Sequence, residues 1–405
     1  MKTVRLKKGR EESVKRFHPW IFSGAVDIVS GEPFEGEVVK VLTHEGSFIA
    51  FGHFQKGSIT VRVLSFDTGQ EPDQDGFMPS HFWEQRIMSA KRMREALLLP
   101  SADTDCYRLI HGEGDMLPGL IVDIYGDVAV MQAHSAGMYL SAGRIAEALA
   151  RCFGGALKAV YNKSEGTAPF KAGLELRDSY LICDGPVPKD RIVLENGNRF
   201  SVNWEEGQKT GFFLDQRDNR YLVGQYAEGR SVLNLFCYTG GFSIYALASG
   251  ASSVVSVDSS AKAVAMLDSN VALNFRDTEK ESRHTSVCTD AIDYIRNIRN
   301  GEFDMIIVDP PAFAKHRGAL DNALRAYRRL NAYAISKVAP GGLVFTYSCS
   351  QVVDRNMFAL AVLSAAVQSG RKVKILRRLT QPADHPVNIY HPEGEYLKGL
   401  LLYVE

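Results

Sequence analysis

Two apolar runs of this sequence end in side chains with chemistry to offer. FDMIIVDPPAF closes on Asp309, Pro310, Pro311 and Phe313, and GGLVFTYSCS closes on Cys349. A thiolate attacks electron-poor carbon, whereas a free cysteine is commonly a small apolar filler of a core. Both readings of Cys349 are open when it is taken alone. Paired prolines remove backbone donors and fix φ, so they make a stiff, extended mouth in which the Asp309 carboxylate and the Phe313 ring can face a planar group. A carboxylate can pair with the exocyclic amine of a base, and an aromatic ring can stack on it. Asp309, Pro310, Pro311 and Phe313 are therefore candidate contacts to such a group, and Cys349, one strand later, is the candidate nucleophile.

A second constellation lies upstream. After the run SVLNLF comes NLFCYTGGFS, Asn234 to Ser243, whose small residues let backbone approach a ligand and whose Gly240 and Gly241 can adopt positive φ. The GxGxxG spacing that seats a dinucleotide pyrophosphate on a helix N-terminus is absent. Asp258 closes VVSVD and is placed to accept from ribose hydroxyls; Asp290 follows a third strand, where an adenine amino group could be met. A ribose carboxylate without a pyrophosphate loop fits S-adenosylmethionine better than NAD. Phe236, Tyr238, Gly240, Asp258, Ser259, Asp290 and Ala291 are the candidate cofactor contacts on these motifs. A plain strand-to-helix turn is the competing reading of NLFCYTGGFS.

Elements that alternate in type must hold these residues. From about Lys189, apolar β-branched runs (SVLNLF, ASSVVSVD, FDMIIVDPP, GGLVFTYS) alternate with helical segments (FSIYALASG, AKAVAMLDSNVALNF, NALRAYRRLNAYAISKVA). Such alternation predicts a doubly wound parallel sheet covered on both faces, with ligands beyond the carboxyl ends of its strands. The last runs, RKVKILRRLT and YLKGLLLYVE, have no helix between them and predict an antiparallel edge. Earlier in the chain, Val38 to Phe66 alternates in short pieces and predicts a small β domain or barrel. Asp67 to Ser80 reads as a linker, followed by a helix with a basic face through Arg86, Lys91, Arg92 and Arg94. A β-β-α-β-β order to about Asp184 then predicts a second, small α+β unit. The expected fold class is α/β, with domains at 1–73, 74–188 and 189–405.

Composition bounds the function. The chain has 405 residues, 45% hydrophobic and 23% charged, which is ordinary globular usage. No apolar run approaches the roughly 20 residues of a membrane helix, and the charged start MKTVRLKKGREESVKRF has no apolar stretch behind it, so no membrane partner, no signal peptide and a cytoplasmic location are expected. Six scattered cysteines with no CxxC pair argue for reduced thiols and against a metal site. The 47 Lys+Arg and 47 Asp+Glu cancel. Local basic patches in Met1 to Ser30 and Arg371 to Arg378 are candidate nucleic-acid contacts, although most charge runs are simply solvated.

Over nearly its whole length the sequence resembles the PUA-containing class I methyltransferases that modify large-subunit ribosomal RNA. KGREESVKRFHPWIFSGAV, YRLIHGEGDMLPGLIVD, GQKTGFFLDQRDNR, NLFCYTGGFS, VVSVDSS, DPPAF, TYSCS and ADHPVNIYHPEGEYLKG carry the resemblance. It implies an N-terminal PUA-like domain that contacts RNA, a central α+β domain and a Rossmann-like domain using S-adenosylmethionine. It also implies that GFFLDQRDNR lies over the cofactor, which adds Phe213, Asp215 and Gln216 to the candidate contacts. The implied activity is formation of 5-methylcytosine in 23S rRNA. Two departures stand out: Ala312 where lysine follows DPP in the family, and Gln351 where glycine often follows SCS. Neither removes a proposed catalytic group, and both bear on how RNA would sit.

Carbon 5 of cytosine is a poor nucleophile, and addition of the Cys349 thiolate to carbon 6 would activate it, with Asp309 holding the nitrogen 3 and exocyclic amine edge. Rival readings are methylation of an exocyclic amine with Cys349 a bystander, and an RNA-binding or assembly protein with a vestigial Rossmann-like domain. A dehydrogenase is disfavoured by the missing glycine spacing. His18 and His385 read as packed residues, and the choice between monomer and homodimer is left open.

Overall fold

The computed structural model describes residues 1–169, 173–187, 191–314 and 316–405. The chain forms two compact units, one of Met1–Val193, Val202–Leu214 and Ala383–Gly394, the other of Leu194–Ser201, Asp215–Pro382 and Glu395–Glu405. The expected boundary at 188/189 lies outside the described residues.

In the first unit, short alternating segments put one apolar row inward. Strands β1 (Thr3–Leu6), β2 (Trp20–Phe22), β3 (Val26–Ser30), β4 (Val38–Leu42), β5 (Phe48–Phe54) and β6 (Ile59–Ser65) make one sheet in the order β2-β6-β5-β4-β1-β3. Val4, Leu6, Ile21, Val39, Val41, Val61 and Val63 form its core. The β structure thus begins at Thr3 and not at Val38. The first three strands are three to five residues long, too short to show a period, and β3 is largely exposed. A one-turn helix, α1 (Glu12–Lys15), lies between β1 and β2.

The segment read as a linker leads into α2 (Ser80–Ala96), which buries Phe82, Trp83, Ile87 and Ala90 at helical spacing. These side chains share a core with Val38, Phe51 and Leu64 and with a second sheet, β11-β10-β9-β8-β7. Its strands are β7 (Cys106–His111), β8 (Leu120–Tyr125), β9 (Val128–Ala133), β10 (Ala159–Asn162) and β11 (Ser179–Cys183). Three strands, rather than two, precede the helical crossover of α3 (Ala136–Leu140) and α4 (Ala142–Phe153), which the parallel β9–β10 pairing requires.

The basic face expected on α2 is a correction. Arg94 is fully buried, ion-paired to Asp115, and donates to the carbonyls of Arg108 (2.8 Å) and Asp384 (2.7 Å). Arg86 donates to the Leu64 carbonyl and Lys91 to that of Cys152. Long basic side chains here complete buried backbone groups; of the four, only Arg92 is exposed.

A two-stranded ribbon, β12 (Arg191–Glu195) and β13 (Asn198–Val202), precedes the large sheet. That sheet runs β16-β15-β14-β17-β18-β20-β19, from β14 (Ser231–Leu235), β15 (Ser253–Asp258), β16 (His284–Cys288), β17 (Phe303–Val308), β18 (Val338–Ser348), β19 (Val373–Leu379) and β20 (Lys398–Val404). The five strands from β16 to β18 are parallel and β20 is antiparallel to both its neighbours, as the sequence predicts. Leu233, Leu235, Val257, Ile306, Val308, Val344, Leu400 and Leu402 face a core shared with α9 (Ala291–Asn297), α10 (Leu320–Lys337) and α11 (Arg355–Ser369). The alternate residues face the other way, where Ser243 of α6 (Gly241–Ala248) bonds Asn234 at 2.8 Å and Ser256 at 2.7 Å. The remaining helices are α5 (Arg217–Ala227), α7 (Ala261–Phe275) and α8 (Glu279–Ser282). This is the expected Rossmann-like α/β class. Among the described residues no helix is long and apolar enough to cross a membrane.

Of the basic run Arg371 to Arg378, only Arg371 is turned inward. The Arg371 guanidinium donates to the carbonyls of Ile335 and Val338, and Lys374 pairs with Glu405. Lys372, Lys374, Arg377 and Arg378 are exposed.

Candidate active site

Strand order reverses between β14 and β17, so their carboxyl ends diverge there and open a crevice. The loop after β14 is sharply bent: Phe236, Tyr238 and Gly240 have φ of 58°, 47° and 84°. Only glycine fits the last position, where an added Cβ would stand 2.0 Å from the Leu267 Cδ1. Asp258 holds the bend. Its Oδ2 accepts from the Tyr238 amide at 3.0 Å and its Oδ1 from the Ser260 amide at 2.9 Å. The half-buried carboxylate keeps further lone pairs for a ligand, since a carboxylate accepts about four hydrogen bonds. Ser259 beside it is exposed.

Asp309 follows β17 and Cys349 follows β18. These strands pair in parallel with Val308 opposite Thr346, which brings the two motifs together at one end of the sheet. The Cys349 Sγ lies 4.0 Å from the Pro310 carbonyl oxygen. Asp309 Oδ2 accepts from the Gln216 side-chain amide at 3.0 Å, and Gln216 Oε1 in turn accepts from Asn219 at 2.6 Å. Asp215 accepts from the Tyr396 hydroxyl at 2.8 Å. Gln216 is thus joined directly to the candidate base-binding carboxylate. Pro310 is buried, Pro311 is exposed, and the Phe313 ring packs 4.8 Å from that of Tyr327.

Three other predicted residues have local surroundings of their own. Asp290 is the N-cap of α9, its Oδ1 accepting from Ile292 and Asp293 at 2.9 Å, and Ala291 is buried behind it. Phe213 belongs to the first unit and lies under the Lys209 ammonium, 4.7 Å from the ring centre.

Two residues near Cys349 and Asp309 escaped the sequence reading. Lys398 stands opposite Ser348 on β20 and is 3% exposed. Its Nζ donates to the carbonyls of Ser350 (2.7 Å) and Tyr396 (2.6 Å). Burial pushes its pKa down to about 8, while the charges of Cys349 and Asp354 pull it back up. The attraction is mutual, so the ammonium favours the Cys349 thiolate. Tyr347 is fully buried with no hydrogen-bond partner for its hydroxyl among the described residues, and its ring stacks on Phe242 at 5.6 Å. Burial first, then the Asp309 charge, hold it well above the usual phenol range and therefore neutral.

Residues 181–401, more than half of the chain, match the family described as S-adenosylmethionine-dependent methyltransferase. The chain belongs to that family. Residues 4–66 match a PUA-like domain. Ribosomal RNA large subunit methyltransferase I of Tolumonas auensis is 40% identical to this methyltransferase over 99% of this chain and 98% of its own length. The protein of the same name from Aeromonas hydrophila is 39% identical with the same coverage. A solved S-adenosylmethionine-dependent methyltransferase of Streptococcus mutans shares the fold over 100% of both chains, at a TM-score of 0.82 and 23% identity.

The methyltransferase's own residues fit S-adenosylmethionine. Asp258 is a carboxylate fixed by two amides with lone pairs to spare for vicinal hydroxyls, and the bend at 236–240 brings bare backbone to the same crevice.

Proposed function

We propose that this methyltransferase forms 5-methylcytosine in large-subunit ribosomal RNA, most directly 23S rRNA, with Cys349 as nucleophile. The observation that carries the reading is the juxtaposition of the DPP and SCS motifs on neighbouring strands, with the buried Lys398 ammonium beside Cys349. The names of the two full-length relatives support the RNA substrate.

Asp258, the 236–240 loop, Ser259, Asp290 and Ala291 hold the cofactor, with Phe213, Asp215 and Gln216 over it. When bound, S-adenosylmethionine supplies an electrophilic methyl group. The Cys349 thiolate adds to cytosine carbon 6, which pushes an electron pair through the ring toward nitrogen 3 and makes carbon 5 nucleophilic. Nitrogen 3 takes up a proton from water as that pair arrives, Asp309 accepts from this N–H and from the exocyclic amine, and Gln216 fixes the rotamer of Asp309. After carbon 5 is methylated, its proton passes to water, the carbon 5–carbon 6 double bond re-forms as the thiolate leaves, and nitrogen 3 gives up its proton, which restores the aromatic ring. Pro310, Pro311 and Phe313 line the base mouth. A base in folded RNA must first leave its stack, at a cost of a few kcal/mol. Exposed Lys8, Arg10 and Arg16, with half-exposed Phe17 and Phe22, offer phosphate and stacking contacts on the first unit to offset it. In this reading residues 1–73 bind RNA, 74–188 form the central part and 189–405 carry the chemistry.

RNA containing 5-fluorocytosine tests the reading, because carbon 5 then has no proton to lose. The native protein with S-adenosylmethionine should form a covalent complex that survives denaturation, and Cys349→Ala should not. Methyl transfer retained by Cys349→Ala would refute the nucleophile and favour an exocyclic amine as acceptor.

A further inference from the structure

A second cluster of coordinating groups belongs to the first unit and contains no residue used above. His18, His391 and Glu393 each offer one ligand atom, and these atoms all lie within 4.8 Å of one another. They are about 370 positions apart in sequence, and the turn Asn388–Gly394 brings them together. In that turn the His391 amide donates to the Asn388 carbonyl at 2.8 Å, and the Asn388 side chain donates to the Glu113 carbonyl at 3.0 Å.

His391 is the unusual member. It is 2% exposed, yet neither ring nitrogen has a hydrogen-bond partner among the described residues. Leaving such a group unsatisfied is costly, and a bound ion would remove that cost. Its Nε2 stands 3.9 Å from a Glu393 oxygen, too far for a hydrogen bond but close enough to share a cation. Trp20 packs against the ring at 4.3 Å, which fixes its plane.

His18 has the outer contact that metal-binding imidazoles commonly use. Its Nδ1 lies 3.1 Å from both the carbonyl oxygen and the amide nitrogen of Trp20, and the tautomer that donates to the carbonyl leaves the Nε2 lone pair for an ion. Glu393 supplies the charge. Its side chain is 61% exposed and can swing inward to the roughly 3.3 Å between donors that tetrahedral zinc sets. Glu113, held by the Trp20 indole at 2.8 Å, adds a second negative charge facing His391.

We propose that His18, His391 and Glu393 bind a divalent first-row transition ion, with Zn2+ the best match to two imidazoles and one carboxylate and water completing the shell. The ion clamps the 383–394 segment to the start of the chain within the first unit. It leaves the chemistry proposed for Cys349 untouched.

Co2+ titration of the full-length protein after chelator stripping tests this, read by d–d absorption and by competition with Zn2+. One equivalent should bind with a nitrogen and oxygen spectrum, and Zn2+ should raise the thermal midpoint. His391→Gln and His18→Gln should each weaken the ion by more than about tenfold and abolish that midpoint shift, whereas Cys183→Ser with Cys288→Ser should change neither. The half-exposed His18→Gln gives the same readout should His391→Gln fail to fold. Absence of binding, affinity unchanged in a folded histidine variant, or a thiolate-to-cobalt charge-transfer band would each overturn the site.

Discussion

Lys398→Met removes the ammonium beside Cys349 while keeping the length and apolar stem of the side chain. A nearby opposite charge favours the ionised form of a titrating group, so losing the Lys398 ammonium should raise the Cys349 pKa, the more modestly because Cys349 is half exposed. Each pK unit of such a rise would cut the thiolate fraction near neutral pH about tenfold. The remaining thiolate gains about threefold in nucleophilicity per unit, because reactivity rises with basicity at a Brønsted slope near 0.45, so the net rate falls about threefold for each unit. The assay is iodoacetamide alkylation followed peptide by peptide, with the exposed Cys183 and Cys288 as internal controls. The pH dependence has a definite sign. With its pKa near 8, Lys398 is charged below that pH and loses its charge above it. The gap between native and variant should therefore be full near pH 7 and close as pH rises past about 9. An unchanged rate at Cys349 at pH 7, or slowing equal to that of the controls, would refute the coupling.

Gly240→Ala should cost about 1–2 kcal/mol in left-handed strain alone, beside a clash with Leu267, and should weaken S-adenosylmethionine binding in calorimetry. Arg220→Met strands the buried Glu195 carboxylate, which now receives Arg220 at 2.6 and 2.7 Å and the Tyr245 hydroxyl at 2.9 Å, and should lower stability in urea by about 3–5 kcal/mol. The double variant with Glu195→Gln should recover much of that loss. Asp258→Asn exchanges one acceptor oxygen for a donor and should break a loop bond worth about 1–3 kcal/mol, seen as weaker cofactor binding in calorimetry and faster amide exchange at Tyr238 or Ser260.

The parallel strands were legible because each is a continuous β-branched run bounded by turns, a pattern that burial on both faces demands. Helix α5 was not legible: RDNRYLVGQYA reads as polar, yet Arg217, Asn219 and Arg220 are buried because other parts of the second unit satisfy them, Glu195 for Arg220 and Gln216 for Asn219. Helix α11 hides for the opposite reason. It is apolar on all sides, and Leu360, Leu363 and Val367 stay exposed, so no face stands out. In the site, DPP and SCS announce themselves as motifs. Lys398 reaches Cys349 only through the β18–β20 register, which nothing local specifies. Asp290 carries an N-cap signature before AIDYIRN that competes with its reading as a ligand, and the structure uses one of its oxygens for the cap.

The chain passes from one unit to the other five times, at 193/194, 201/202, 214/215, 382/383 and 394/395. During synthesis the first unit therefore stays incomplete until its final piece, Ala383–Gly394, leaves the ribosome. Arg94 and Arg108 must wait for Asp384, which accepts from the side chain of one and the amide of the other. A nascent chain cut off before Ala383 should be unable to close that core, so the region proposed to grip RNA matures only when the methyltransferase part is all but made.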